Sequence, residues 1–466
     1  MKLSGGHMPK IAGRPASTVR EIPSPNTLYI PLEQGGLSYE PVVKNGQKIS
    51  FGDALAEISV SGGKLSLPAP AGGKVRIHKN DEGKTQQLII ETGGSEAVTR
   101  VFDQLKPEVA SAVKVREALA KGGVWPLFWS SRTGGIPSLE EGERPRALVV
   151  NTVLTEPFRT RGKVILQRSW DRIVEGMKYF PRLLADYGTT EIILTQKRDP
   201  VAQRLYQELA GYAWLHFHPI PLRYPAENPV VLTRALRKHY TSIKKSDVIW
   251  VLDVQGLEAV GACLAEGIPL YQRVMTLGGP GHPDPTHVVA RIGTPVKRLL
   301  PKNFSADDVL VLRGGLLKGE PVNPEVDAVV NDDNGFFFLP KMKKREFLSF
   351  MGPGFQKTSV LPCFMSRITG AADSTISTSL RGERRPCIAC GLCEKVCPVE
   401  LMPQIIHRYL YREAYDEAEA VGMDLCVDCG LCTYVCPSKI ELQRQFTEAL
   451  EQLRLEHEEA AASESP

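Results

Sequence analysis

Cys387-Ile388-Ala389-Cys390-Gly391-Leu392-Cys393-Glu394-Lys395-Val396-Cys397-Pro398 recurs as Cys426-Val427-Asp428-Cys429-Gly430-Leu431-Cys432-Thr433-Tyr434-Val435-Cys436-Pro437, so eight of the ten cysteines stand in two copies of C-x2-C-x2-C-x3-C-P. This run holds [4Fe-4S] cubanes: three thiolates on a tight loop reach three irons of one cluster, and the fourth reaches the other. The reading assigns cluster one to Cys387, Cys390, Cys393 and Cys436, and cluster two to Cys426, Cys429, Cys432 and Cys397. It also expects each fourth cysteine to open a helix, with Pro398 and Pro437 suited to the first turn. Gly391 and Gly430, lacking Cβ, let backbone N–H groups approach the cluster sulfurs. Zinc needs only four ligands and rarely uses a third cysteine two residues on, followed by C-P. A disulfide framework belongs to small secreted domains, whereas this chain has 466 residues and no apolar signal segment at its start.

The length suggests about three domains. A formal charge of +4, from 57 Lys and Arg against 53 Asp and Glu, argues against a nucleic-acid partner. No apolar run approaches the ~18 residues of a membrane span, and thiolate clusters point to a reducing cytoplasm. Cys263 and Cys363 stand alone in apolar surroundings and read as buried small hydrophobes.

Residues 1–95 read as an all-β module of short strands with Gly and Asn turns, among them Leu28 to Leu32, Gly52 to Ile58 and a hairpin at Gly62-Gly63. Glu108 to Ala120 has amphipathic helical spacing. The aromatic group Trp125, Pro126, Phe128 and Trp129 then suits either a flat ligand or, more commonly, core packing. From Arg146 to about Leu277 strand runs (Ala147 to Val150, Glu191 to Leu194, Val248 to Leu252) alternate with helical periods, which argues for a mostly parallel sheet. Ligands of such sheets sit at carboxyl ends of strands, here followed by Asn151 to Arg159, Thr195 to Arg198 and Asp253 to Gly256. No nucleotide fingerprint follows any of them. Near 285 the pattern reverts to β, and Lys341, Lys343, Lys344 and Arg345 beside Phe347 to Phe350 form a basic and aromatic stretch that either meets anionic lipid or is simply solvated. Met402 to Val421 reads as one helix and turn, Ile440 to Glu459 as a charged terminal helix before a disordered tail, and His407 as a structural or solvated residue.

Two resemblances emerge from these residues. The cadence Gly52-Asp53-Ala54-Leu55-Ala56-Glu57-Ile58 followed by Ala69-Pro70-Ala71-Gly72-Gly73-Lys74-Val75 resembles the biotinyl/lipoyl barrel-sandwich fold, whose cofactor-bearing lysine would fall near Lys64. Along nearly its whole length the chain resembles the C subunit of the Rnf electron-transport complex, through Ser4-Gly5-Gly6-His7, Arg291-Ile292-Gly293-Thr294-Pro295-Val296 and the twin motifs. Its middle is similar to the A subunit of the sodium-translocating NADH:quinone reductase, through Ile11 to Pro15, Ile136-Pro137-Ser138, Val149-Val150-Asn151 with Glu156-Pro157, and Arg345 to Leu348 through Lys357 to Val360.

The resemblance implies an α/β multidomain fold. Its parts are a barrel-sandwich β module over 1–95, a Rossmann-like α/β domain over 96–284, an SLBB-type β-grasp module with its following segment over 285–363, a linker over 364–385, a two-[4Fe-4S] ferredoxin-like α-helical domain over 386–445, and a terminal helix and tail over 446–466. It also implies an electron-transfer subunit on the inner face of the cell membrane, held by membrane-embedded Rnf/Nqr-like subunits and fed by a soluble or subunit donor. C subunits that bind FMN and NADH carry a glycine-rich loop; here Gly122 to Arg132 places Trp125, Pro126, Phe128 and Trp129 in that position, which argues against FMN and NADH. The similarity to the quinone-reductase protein keeps a quinone site open, and the alternatives to electron relay are an NADH-oxidising, flavin-binding subunit, a quinone-interacting subunit, or a structural adaptor whose clusters only stabilise the fold.

Overall fold

The computed structural model describes residues 1–79, 85–93, 98–195, 199–342, 355, 365, 368, 376–378 and 383–464. Cys363, the basic and aromatic stretch beyond Lys341, Gln196 to Arg198 and most of the 364–385 linker lie outside them. The mixed α/β, multidomain reading holds, with three β-rich bodies and a helical C-terminus.

The first body is a pair of small sheets. Thr27–Pro31, Thr85–Glu91, Gly73–Lys79 and Lys48–Ile49 form one, and Glu40–Pro41, Ala54–Val60 and Gly63–Pro68 the other. Period-2 alternation sends Leu28, Ile30, Leu65, Leu67, Val75, Leu88 and Ile90 into the shared core, each at most 1% exposed. The Ser61-Gly62 hairpin tip is pressed against the next domain: Leu139 N–H donates to the Ser61 carbonyl at 2.9 Å, and a Cβ on Gly62 would lie 2.4 Å from Glu140 N. Lys64 pairs with Glu57 at 3.0 Å beside this docked turn, a poor place for a swinging cofactor arm.

The second body is a five-stranded sheet in the order Trp129–Ser130, Ile249–Asp253, Ala147–Asn151, Thr189–Leu194, Leu215–Pro219. All pairs are parallel except the first. Ala147–Asn151 is buried along its whole length, as expected of a central parallel strand covered on both faces. The chain steps outward from it twice and then returns to its other side, so the sheet reverses there, and crevices open at the carboxyl ends.

Trp125, Phe128 and Trp250 pack as an aromatic core with ring centroids 5.4–6.0 Å apart. The Arg116 guanidinium lies over both tryptophans at 5.5 and 5.3 Å, and the Trp125 indole N–H donates to the Pro137 carbonyl at 2.9 Å. Packing, the commoner of the two roles open to this cluster, is the one observed. Trp125 and Phe128 are at most 1% exposed.

The third sheet runs Val19–Glu21, Thr286–Arg291, Gln272–Gly278, Gly335–Pro340, Val309–Arg313, Glu320–Pro321. It corrects two sequence boundaries. Gln272–Gly278 pairs with Thr286–Arg291, so a division at 284 cuts a hairpin. Val19–Glu21 pairs in parallel with Thr286–Arg291, so the first residues of the chain belong to bodies far from the N-terminal sandwich. This leading strap crosses the molecule: Gly6 N–H donates to the Val396 carbonyl at 2.9 Å, His7 N–H to the Tyr224 carbonyl at 3.0 Å, and Gly279 N–H to the Gly13 carbonyl at 2.9 Å.

The C-terminal body is helical, but Met402 to Val421 splits into Pro403–Leu410 and Tyr415–Ala420, and the last helix, Leu442–Glu464, continues through the expected tail. Replacing Trp125 with Ala removes the centre of the aromatic cluster and should lower unfolding free energy by about 3–5 kcal/mol. Urea denaturation checks this; a shift under ~1 kcal/mol would mean that the ring is not core.

Candidate metal centre

Each cysteine run is bent by the same backbone device. Ala389 and Asp428 are left-handed at φ 52° and 48°, and Gly391 and Gly430 at φ 70° and 73° each cap a one-turn helix, Leu392–Val396 and Leu431–Val435. These reversals turn successive sulfurs toward one centre. The fourth cysteines, Cys397 and Cys436, close those helices instead of opening new ones, which corrects the sequence expectation. The following Pro398 and Pro437 lack an N–H to continue a helix and enter turns that end at left-handed Glu400 and Lys439. The proline that starts a helix is Pro403.

Two cavities result. One is lined by Cys387, Cys390, Cys393 and Cys436. The other is lined by Cys397, Cys426, Cys429 and Cys432. Each ring therefore takes three cysteines from one run and one from the other. None of the eight is in a disulfide, and their sulfurs border two separate spaces, the arrangement that a polyatomic cluster would need. Burial pushes the Cys393 thiol up to about 11 and Cys429 up to about 12, and raises Cys397, Cys426 and Cys432. Crowded buried thiols resist ionisation unless a cationic core lies among them, so the donor set fits iron-sulfur ligation.

The two surroundings differ. Around the first ring Cys390 is exposed and Ile388 is 65% exposed. The second faces the body of the molecule: the buried Tyr224 hydroxyl donates to the Cys429 carbonyl at 2.8 Å, a Cβ on Gly5 would lie 2.3 Å from the Cys397 carbonyl oxygen, and Leu401 N–H points at Cys397 Sγ at 3.3 Å. Glu400 reaches back to Ser4, Arg234 and Lys238 at 2.7–2.9 Å, which hold its carboxyl down at about 2. His407 lines neither ring; its Nδ1 lies 2.7 Å from Gln445 Oε1.

A third cavity, of about 300 Å³, opens at the carboxyl ends of Ala147–Asn151 and Thr189–Leu194. Of the segments singled out from sequence, Thr152 to Arg159 and Thr195 line it, with Arg14, Arg161 and Lys163 adding positive charge. Asp253 instead caps a helix through Gly256 N–H at 2.6 Å, and Gln255 is spent on Val274 N–H at 2.6 Å. Glu156, also on the wall, is 4% exposed, and burial followed by the nearby Glu227 raises it to about 7. Sequence reading missed Tyr224, Glu227, Arg14 and Arg161. No local spacing marks them, because they arrive from separate segments.

Residues 383–440 match the family model for a 4Fe-4S dicluster domain, and residues 110–268 match that for the NqrA second alpha/beta domain, which stops just before Gln272. The A subunit of the Na(+)-translocating NADH-quinone reductase of Cellvibrio japonicus is 25% identical over 91% of this chain and 92% of its own. That of Tolumonas auensis is 26% identical over 88% and 89%. A solved NAD+-reducing [NiFe]-hydrogenase in the H2-reduced state overlaps 75% of this chain and 68% of its own, at 12% identity and a TM-score of 0.40, too low to carry an argument. Over about nine-tenths of its length the chain is thus similar to Nqr A subunits, with a match to a 4Fe-4S dicluster domain near its C-terminal end. No helix among the described residues is long and apolar enough to cross a membrane.

Cys263 is fully buried beside the Ala118 carbonyl, and burial pushes its thiol up to about 12. At pH 8 it is therefore protonated and shielded, and should resist iodoacetamide in the native protein while labelling after denaturation. Peptide mass mapping reads this directly.

Proposed function

We propose that this chain is the iron-sulfur electron-transfer subunit of an Rnf/Nqr-like, membrane-associated, ion-translocating oxidoreductase complex, without an NADH or FMN site of its own. The observation that carries this reading is the pair of crossed thiol rings, one opening to solvent and one turned toward the α/β domain. Two bound [4Fe-4S] clusters would supply one-electron transfer. Cys387, Cys390, Cys393 and Cys436 hold the outer one, where exposed Cys390 and Ile388 leave a short approach for a redox partner. Cys397, Cys426, Cys429 and Cys432 hold the inner one, which Tyr224, Leu317 and the leading strap screen from water. Similarity to the A subunits of the quinone reductases supports membrane-embedded partner subunits and a place on the cytoplasmic face of the membrane. With this assignment go a barrel-sandwich fold for the N-terminal sheet pair and an SLBB-type β-grasp for the third sheet.

Anaerobically purified protein should contain about eight irons and eight acid-labile sulfides per chain; far fewer would end the proposal. Cys436→Ser should perturb the same EPR signal as Cys390→Ser, and Cys397→Ser the same signal as Cys429→Ser. If instead Cys436→Ser perturbs the signal shared by Cys429→Ser, the ligation is uncrossed.

A second reading is favoured by the basic cavity at the strand ends, where Arg14, Arg159, Arg161 and Lys163 gather. It makes the chain a flavin-binding, NADH-oxidising protein, with those cations on the phosphates. Flavin fluorescence of the denatured supernatant separates the two readings. A stoichiometric flavin selects this one, and its absence selects electron relay alone.

A further inference from the structure

Glu156 stands between the inner thiol ring and the basic cavity. Its Oε1 accepts a hydrogen bond from Leu317 N–H at 2.7 Å. Oε2, buried, has no donor among the described residues. The loop carrying Leu317 comes this close only because Gly315, at φ 129°, has no side chain; a Cβ there would lie 2.3 Å from Glu156 Cγ. The neighbouring Glu227 is the opposite case. It accepts Thr155 N–H at 3.0 Å and Glu156 N–H at 2.6 Å, as well as the Thr155 hydroxyl. One carboxylate is thus met by three donors, beside a second with a buried oxygen that accepts no regular hydrogen bond. That oxygen is where a proton is best accommodated.

Tyr224 connects this pair to the metal centre. Its hydroxyl lies within hydrogen-bonding reach of the Glu156 carboxyl, but its proton is committed to the Cys429 carbonyl at 2.8 Å, so Oε2 receives none from it. The other charged or titratable groups around the site are Arg159 on the same loop, Arg14, Arg161 and Lys163 on the wall of the cavity that Glu156 also lines, Lys318 beyond Leu317, which acts on Cys426 and Cys429, and His7 on the strap, paired through its backbone with Tyr224 and held below its ordinary range by burial. Tyr224 is pushed far above the usual phenol range by burial, which leaves Glu156 as the group able to change charge near neutrality.

We propose that Glu156 is a redox-linked proton site: when one electron enters the centre held by Cys397, Cys426, Cys429 and Cys432, one proton passes from solvent to Glu156 Oε2, and it leaves when the electron leaves. The charge balances, because the negative charge added at the centre is met by the proton on the carboxylate. The electron comes from a one-electron donor; in the test this is dithionite with mediator dyes. A negative charge placed nearby raises a carboxyl's proton affinity, and linkage makes the effect reciprocal, so protonated Glu156 favours the reduced centre. The proposal rests on the cluster reading given above.

The test is an EPR-monitored redox titration of the full chain, purified anaerobically, at several pH values from 5.5 to 8.5. Lower pH favours the protonated and hence reduced form, so one of the two potentials should fall as pH rises. The slope should open as pH rises through about 7, where the carboxyl begins to lose its proton with the centre oxidised, and above it the reduction equilibrium should shift by up to tenfold per pH unit, ~59 mV for a one-electron couple. The other potential should stay level. Glu156→Gln should abolish the slope, Glu156→Asp should restore it, and the infrared band of a protonated carboxyl gained on reduction should vanish in the Gln variant. Two reversible signals with level potentials in the unaltered protein overturn the proposal and leave the cluster reading standing. So does a slope unchanged in Glu156→Gln. Absence of reversible signals overturns both.

Discussion

The structure depends on an exchange of sulfur between two short repeats. Each ring of four cysteines borrows its last member from the other run, so neither loop can complete a ring alone, and the one-turn helices Leu392–Val396 and Leu431–Val435 are obliged to pack side by side. The left-handed residues at matching places in both runs aim the sulfurs inward. A tight turn with φ above zero at Ala389, Gly391, Asp428 and Gly430 is costly for any residue with a side chain. Ala389 and Asp428 bear that cost in the same register, which marks it as part of the design of the loop.

The rest of the chain treats the two rings unequally. The inner one is held to the body by contacts from three distant stretches: the leading strap at Gly5 and Gly6, Tyr224 before the helix Pro229–His239, and Leu317 in the third sheet's loop. The outer one is bordered by its own domain and by solvent. The inner ring has the buried Tyr224 and Glu156 on the side of the α/β domain, whereas the outer ring includes the exposed Cys390 and lies beside the exposed Ile388. The same contacts bring the basic cavity, Glu156 and the inner ring into one neighbourhood.

Much of this was legible from local spacing. The cysteine intervals pointed to two groups of four, each taking three members from one run and one from the other, and the folded chain gathers the cysteines in those groups, because a few residues of loop leave little freedom in where sulfurs point. The strand runs at Ala147, Glu191 and Ile249 announced a parallel sheet with functional loops at its carboxyl ends, because strands buried on both faces must be continuously apolar. The aromatic group at Trp125 and Phe128 left two roles open, a flat ligand or packing, and packing, the commoner, is the one its burial shows.

Spacing did not reach contacts between segments far apart in the chain. Val19–Glu21 is too short to declare its sheet, and only pairing with Thr286–Arg291 places it there. Gln272–Gly278 reads as the last strand of one domain and is the first of another. Cys397 and Cys436 end helices because the proline after each can terminate one as readily as begin one, and the surrounding fold chose. Tyr224, Glu227 and Arg14 look ordinary in sequence and gain meaning from what burial brings beside them. The amino-acid sequence by itself determined which atoms can grip iron and sulfide, since that chemistry is set within a dozen neighbouring residues. Only the tertiary structure decided which ring is sheltered and which carboxylate is left without a donor, since charge and solvation depend on everything folded around a group.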